Sequence, residues 1–215
     1  MTRSEISAQL QGLYAITPDW PDTRRLLAAS EAILGGGCRL LQYRNKAATD
    51  RQRQEQAVAL RGLTRRFGAL LIINDDVDLA LFAEADGVHL GETDGELAAA
   101  RSRLGTAGIL GASCYQSLDL ARGAARAGVD YVAFGSFFPS STKPQARRAD
   151  PALLSAARAE TGLPVCGIGG ITPDNAAPLL HAGADMLAVI TALYEAADPR
   201  LAAERFITLF EEKTP

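Results

Sequence analysis

The stretch HAGADMLAVIT, residues 181 to 191, passes from the end of an amphipathic segment through glycine, alanine and aspartate into an apolar run. AEADGVHLGE (83–92) and ARAGVDYVAFG (125–135) follow the same plan. The shared unit is helix end, Gly or Ala, Asp, strand. Glycine at such a junction supplies the helix C-cap, and the chain must reverse within a few residues to start the next strand.

Outward from these three units, short apolar runs rich in β-formers stand at 12–17, 38–44, 69–74, 87–90, 109–113, 131–135, 164–169 and 186–191. The segments between them are alanine-rich; 22–35, 51–67, 117–127 and 174–182 place apolar residues at helical spacing with charges between. Strands of near-continuous apolar character fit a parallel sheet covered on both faces. Eight β/α units point to an α/β protein of the (β/α)8 TIM-barrel class, one domain over residues 1–215, a length that such barrels fill without dividing. The competing architecture, a doubly wound open sheet, would offer five or six strands and a Gly-rich first turn. The first turn here is TPDWPD.

Composition narrows the function. Hydrophobic residues make up 47% and charged residues 22%, which is ordinary for a globular chain. The formal charge of -3 gives no basic field, so no nucleic-acid partner is expected. The start, MTRSEISAQLQGLYAIT, lacks the apolar region of a signal peptide, and no run approaches the roughly 18 residues that span a bilayer. A cytoplasmic protein without a membrane partner is expected; the oligomeric state stays open, a homo-oligomer included. Cys38, Cys114 and Cys166 lack disulfide or zinc spacing and read as small buried hydrophobes. His89 and His181 form no ligand pair, and catalysis through histidine is not expected.

In a barrel the active site lies at the C-terminal ends of the strands. There the polar residues collect. LLQYRNK (40–46) ends the second strand, and a period of two sets Gln42, Arg44 and Lys46 on one side. A charge inside a helix-covered barrel needs a partner, and an anionic ligand would serve; in the other reading both cations have left the strand for water. LIINDDVDLA (71–80) puts Asn74 and Asp75 after the third strand, and GETD leads from the fourth to Asp94. Two carboxylates beyond adjacent strands can share one cation, and magnesium, which takes one or two carboxylates and completes its shell with water and phosphate, is the expected metal. Asp76 reads as a helix N-cap, a role also open to Asp94.

Of the 22 basic residues three are lysines, and Lys46 and Lys143 both follow strands. Ser140, Ser141, Thr142 and Lys143 lie in SFFPSSTKPQARR after the sixth strand. GIGGITPDN (167–175) ends the seventh strand with Gly169 and Gly170, where a backbone can approach a ligand, and starts a helix at Thr172, Pro173 and Asp174. The eighth strand ends in Ile190 and Thr191. Loops after strands seven and eight often hold a phosphate. Two anion sites on one rim suit a reaction that joins two phosphorylated small molecules.

GLYAIT, LLQYRNK, IINDDVDLA, GVHLGETD, YVAFGSFFPSSTKP and GIGGITPDNAAPLLHAGAD together resemble the thiamine-phosphate synthase family, in order and over nearly the whole chain. The resemblance implies a transferase that couples a pyrimidine methyl diphosphate to a thiazole phosphate, giving thiamine phosphate and pyrophosphate. It implies that Gln42, Tyr43, Arg44, Asn45, Lys46, Asn74 and Lys143 hold the pyrimidine diphosphate and that Ser113 contacts the pyrimidine. Asp75 and Asp94 would hold one Mg2+; Ser140, Ser141, Thr142, Gly170, Ile190 and Thr191 would hold the thiazole phosphate. Arg44, Lys46, Ser113 and Lys143 would carry catalysis, by a dissociative path without a protein nucleophile. Glu92 stands where the family often has glutamine. A thiazole tautomerase of the same fold relies on a histidine in the loop after strand six, where this chain has Ser136; a non-catalytic barrel binding thiazole or thiamine phosphate is a second alternative. Loops 18–22 and 140–149 are candidates for closing over the substrates.

Overall fold

The computed structural model describes residues 6, 8–139 and 148–213. Eight parallel strands close into a barrel in chain order: β1 Gly12–Ile16, β2 Leu40–Tyr43, β3 Leu70–Asn74, β4 Gly87–Leu90, β5 Ile109–Tyr115, β6 Tyr131–Gly135, β7 Val165–Ile168 and β8 Met186–Val189. Between them run α1 Thr23–Gly35, α2 Asp50–Arg66, α3 Val77–Phe82, α4 Leu97–Leu104, α5 Leu118–Arg126, α6 Ala152–Thr161 and α7 Ala177–His181. The short α8 Thr191–Tyr194 follows β8, and α9 Pro199–Lys213 packs back against α1 and β1. The eight expected strands are all present. No helix among the described residues is long and apolar enough to cross a membrane.

Alternation along the strands divides the core. Tyr14, Ile16, Leu40, Leu70, Ile72, Ile109, Tyr131, Ala133, Cys166, Met186 and Ala188 fill the barrel, with Ile6 and Leu10 beside them. The other set faces the helices: Leu13, Leu41, Tyr43, Leu71, Ile73, Val88, Leu110, Val132, Phe134, Val165 and Leu187. Gly111 makes room inside, since a Cβ there would lie 2.1 Å from the Tyr131 ring. All three cysteines are buried free thiols, as the sequence suggests.

The repeated aspartates have a structural cause. Asp86, Asp130 and Asp185 precede β4, β6 and β8. Each donates its backbone N–H to the carbonyl of one residue on the preceding strand, Leu71, Leu110 or Val165, and its carboxylate accepts the N–H of that same residue. An arginine from a covering helix completes each clamp: Arg61, Arg101 and Arg158 respectively. A strand's first peptide, which would lack partners at the barrel floor, is thereby satisfied. These clamps sit at the end opposite the loops that follow the strands, where residues serve stability.

Candidate active site

The strands β2, β3 and β4 deliver the charged groups. β2 stops at Tyr43, one residue before the expected alternation would bring Arg44 inward. Thr17, beyond β1, takes hold of Arg44 instead: its hydroxyl accepts the Arg44 N–H and donates to the Arg44 carbonyl, both at 2.8 Å. Arg44 and Lys46 have therefore left the strand. The Arg44 guanidinium pairs with Asp19, 2.9 Å away. Asp19 accepts the Lys46 backbone N–H at 2.7 Å as well, so a single carboxylate from the first loop fixes both cationic residues.

Tyr43 and Asn45 point to the helices. The Tyr43 hydroxyl donates to Gln56, while Asn45 donates to Gln56 and to the Trp20 carbonyl and accepts from the N–H groups of Ala47 and Ala48. Their polar atoms brace the loop on which Lys46 sits. Beside it a cleft of about 470 Å³ opens, lined by Lys46, Asn74 and Asp75 among others.

Asp75 takes a left-handed backbone, φ 63, which aspartate tolerates better than most residues. Its N–H still extends the ladder to the His89 carbonyl at 2.8 Å, while its carboxylate turns toward the β4 loop. Asp94 folds back there, accepting the Gly91 N–H at 3.0 Å. A Cβ at Gly91 would stand 2.6 Å from that carboxylate, so glycine is what admits it. Asp94 is not a helix cap; Glu96 occupies that position for α4. Asp76, by contrast, caps α3 through the Leu79 N–H and pairs with Arg53.

Burial raises the Asp94 carboxyl above the usual range, and its hydrogen-bonding and like-charge interaction with Asp75 raises it further; the Gly91 N–H and Lys46 act the other way. Lys46 Nζ lies 2.9 Å from Asp75 Oδ2. Two carboxylates brought this close favour a cation between them. The donors are oxygens only, and no group of three or more His, Cys, Asp or Glu suited to a metal occurs among the described residues. That set fits a hard cation that takes most of its ligands from water and phosphate, as magnesium does. Glu92 is exposed in the same turn.

Ser113 lies on β5 where the register with β6 shifts, an irregularity that re-aims side chains near barrel rims. Its hydroxyl is 2.8 Å from His89 Nε2. Gln42 is buried and donates to the Tyr14 hydroxyl at 2.7 Å. Burial pushes the His89 imidazolium down to about 4, so the ring is neutral at ordinary pH. Sequence patterning singles out none of Asp19, Tyr14 and Tyr131, and His89 reads there as an ordinary strand residue. For Asp19 a signal existed, a carboxylate in the loop after a barrel strand.

At β7 and β8 the expected helix over 174–182 is shorter, running Ala177–His181. Asn175 explains the delay: it accepts the Thr172 N–H at 2.9 Å and donates to the Gly170 carbonyl at 3.0 Å, which holds residues 170–175 in a turn, and Pro178 sets the helix start. Gly169 and Gly170 take positive φ, 104 and 64. What comes close to them is the loop after β6: added Cβ atoms would lie 2.1 Å from Ser136 Oγ and 2.2 Å from the Pro139 carbonyl oxygen. Ile190 and Thr191 lie beyond β8, with Thr191 exposed. Ser140, Ser141, Thr142 and Lys143 lie outside the described residues.

Comparison with known proteins follows the same lines. A family model described as thiamine monophosphate synthase matches residues 13–193. The chain is 59% identical over 210 residues to a thiamine-phosphate synthase of Methylobacillus flagellatus, covering 98% of this chain and 100% of that one. It is 58% identical to one of Thiobacillus denitrificans, covering 93% and 94%. Among solved structures, a thiamine phosphate pyrophosphorylase from Pyrococcus furiosus superimposes with a TM-score of 0.85 at 37% identity, covering 96% of this chain and 98% of that one.

Proposed function

The chain belongs to the thiamine monophosphate synthase family, a transferase that makes thiamine phosphate, and from that premise we infer how its barrel mouth divides the work. The observation that carries the reading is the convergence of Asp75, Asp94 and Lys46, with Arg44 behind them, at the ends of β2, β3 and β4. A pyrimidine methyl diphosphate lays its diphosphate on this corner. Gln42, Asn74 and Ser113 face its ring from β2, β3 and β5. Gly170, Ile190 and Thr191, beyond β7 and β8, receive the thiazole phosphate on the opposite part of the rim, and Ser140, Ser141 and Thr142, which lie outside the described residues, are assigned to the same phosphate from the family resemblance alone.

The methylene C–O bond breaks, and its electron pair leaves with the diphosphate. The electron-rich aminopyrimidine stabilises the cation that remains, and the thiazole nitrogen supplies the pair for the new C–N bond. No protein nucleophile is consumed. Asp75 and Asp94 would hold magnesium, which when bound supplies positive charge to the departing diphosphate. Lys46, Arg44 and Lys143 add theirs from the protein. Lys46 must give up Asp75 to do so, which is inexpensive because its side chain is 58% exposed and exposed ion pairs contribute little, about 0–1 kcal/mol. The remaining contribution is to hold the two rings in line. This reading places the reaction in the cytoplasm and asks nothing of a second copy of the chain.

The test mixes the purified protein with the pyrimidine diphosphate, thiazole phosphate and Mg2+, with and without EDTA. Thiamine phosphate that disappears with EDTA is the expected result. Thiazole phosphate bound without product would favour a tautomerase or a binding protein.

A further inference from the structure

A continuous line of side-chain hydrogen bonds crosses the barrel beneath its mouth. Gln42 Nε2 lies 2.7 Å from the Tyr14 hydroxyl, which lies 2.8 Å from the Tyr131 hydroxyl. Tyr131 is 2.9 Å from His89 Nδ1, and His89 Nε2 is 2.8 Å from Ser113 Oγ. The five residues come from β2, β1, β6, β4 and β5, and all but Ser113 are buried. The ends, Gln42 and Ser113, belong to the proposed pyrimidine site. The three residues between them have no part in the mechanism above.

The direction of the line follows from the donors each group owns. An amide nitrogen only donates, so the Tyr14 oxygen accepts from Gln42. The Tyr14 proton then goes to Tyr131, and the Tyr131 proton goes to His89 Nδ1. A neutral imidazole has one N–H, which must therefore sit on Nε2 and point at Ser113. Having accepted that bond, Ser113 has its own proton left for the mouth. With the amide in this orientation, a reversed line would bury the Tyr14 proton without an acceptor, which native interiors avoid.

We propose that His89 is a positioning residue: through the Gln42–Tyr14–Tyr131–His89 line it fixes the Ser113 hydroxyl as a hydrogen-bond donor. The ligand atom that meets Ser113 is then an acceptor, such as the lone pair of a ring nitrogen. At the far end Gln42 spends its Nε2 inward, so the atom it can offer a ligand N–H is Oε1. An aminopyrimidine carries both kinds of atom. The identity of the ligand rests on the proposed function, whereas the direction of the line does not.

Histidine labelled with 15N reads the direction without substrate. The chain has two histidines, and the exposed His181 serves as reference beside the buried His89. The expected spectrum shows His89 neutral with its proton on Nε2; a proton on Nδ1 overturns the proposal. Kinetics test the link to Ser113. Tyr131→Phe should lower kcat for thiamine phosphate by about tenfold, the worth of one misdirected bond at the transition state. In a Ser113→Ala background the same substitution should change nothing, because the hydroxyl it orients is gone. An equal loss in both backgrounds overturns the positioning role. If the protein forms no thiamine phosphate at all, the proposed function fails, and the histidine spectrum still decides the direction.

Discussion

Lys46 Nζ sits 2.9 Å from Asp75 Oδ2 and also offsets part of the charge on Asp94, so one ammonium serves two carboxylates. The pair of acids is held together by backbone geometry, the left-handed turn at Asp75 and the fold-back of Asp94 onto Gly91. Removing either acid should therefore separate function from stability. Asp75→Ala should lower the Mg2+-dependent rate by about a hundredfold or more while circular dichroism stays native. Asp94→Asn should lose the rate similarly and, with a repulsion removed, unfold in EDTA at slightly higher urea, by about 0.5 kcal/mol after screening by water. An Asp75→Ala protein with an unchanged Mg2+-dependent rate would remove the metal site from the mechanism.

Gly91 gives a second handle on the same carboxylate. A methyl group at 91 would enter within 2.6 Å of Asp94 Oδ2, and the acid side chain is the part free to move. Gly91→Ala should thus leave folding intact and raise the Mg2+ concentration for half-maximal activity by about tenfold, the scale seen when groups that orient metal ligands are altered. Titrating activity against Mg2+ measures it; an unshifted curve would show that Asp94 need not fold back to act.

The floor of the barrel should behave in the opposite way. Asp130 is 8% exposed, accepts the Leu110 N–H at 2.8 Å and pairs with Arg101. Asp130→Ala leaves a strand N–H without that acceptor and takes the ion pair from a half-buried guanidinium that still donates to the Gly105, Gly108 and Gly128 carbonyls, a class of change that costs about 1–3 kcal/mol. Urea unfolding should show a loss of that order, and kcat of the protein that remains folded should match the parent. A lower kcat would mean that the clamp also shapes the mouth.

The barrel was readable because its unit is local: a helix end, a turn and an aspartate that satisfies the neighbouring strand recur within about ten residues, as in 83–92, 125–135 and 181–191. Asp75 and Asp94 were readable as a pair for a related reason, since both follow the ends of strands adjacent in the barrel, β3 and β4. Tyr14 and Tyr131 were not. Each reads as an ordinary strand residue, and their contact joins positions 117 apart across the barrel, which no local pattern encodes. His89 was hidden likewise within an apolar strand. That Arg44 stands beyond the strand was not readable either, because period-two reasoning assumes the strand continues, whereas β2 ends at Tyr43 and Thr17 captures the next peptide.

Asp19 supplies the last prediction, because it makes two separable contacts. Its carboxylate faces the Arg44 guanidinium at 2.9 Å, and its Oδ1 accepts the Lys46 N–H at 2.7 Å. The first contact competes with a bound diphosphate for Arg44, and the second holds the loop that carries Lys46. Asp19→Ala removes both. The loop then loses its anchor, and KM for the pyrimidine diphosphate should rise by about tenfold, the effect of one lost hydrogen bond to a charged group. Asp19→Asn keeps an oxygen for the Lys46 N–H and removes only the competing charge, so its KM should stay near or below that of the parent. Stability should change little in either variant, since the Asp19 side chain is 38% exposed. If Asn raises KM as much as Ala does, the charge of Asp19, not its hold on the loop, is what the site requires.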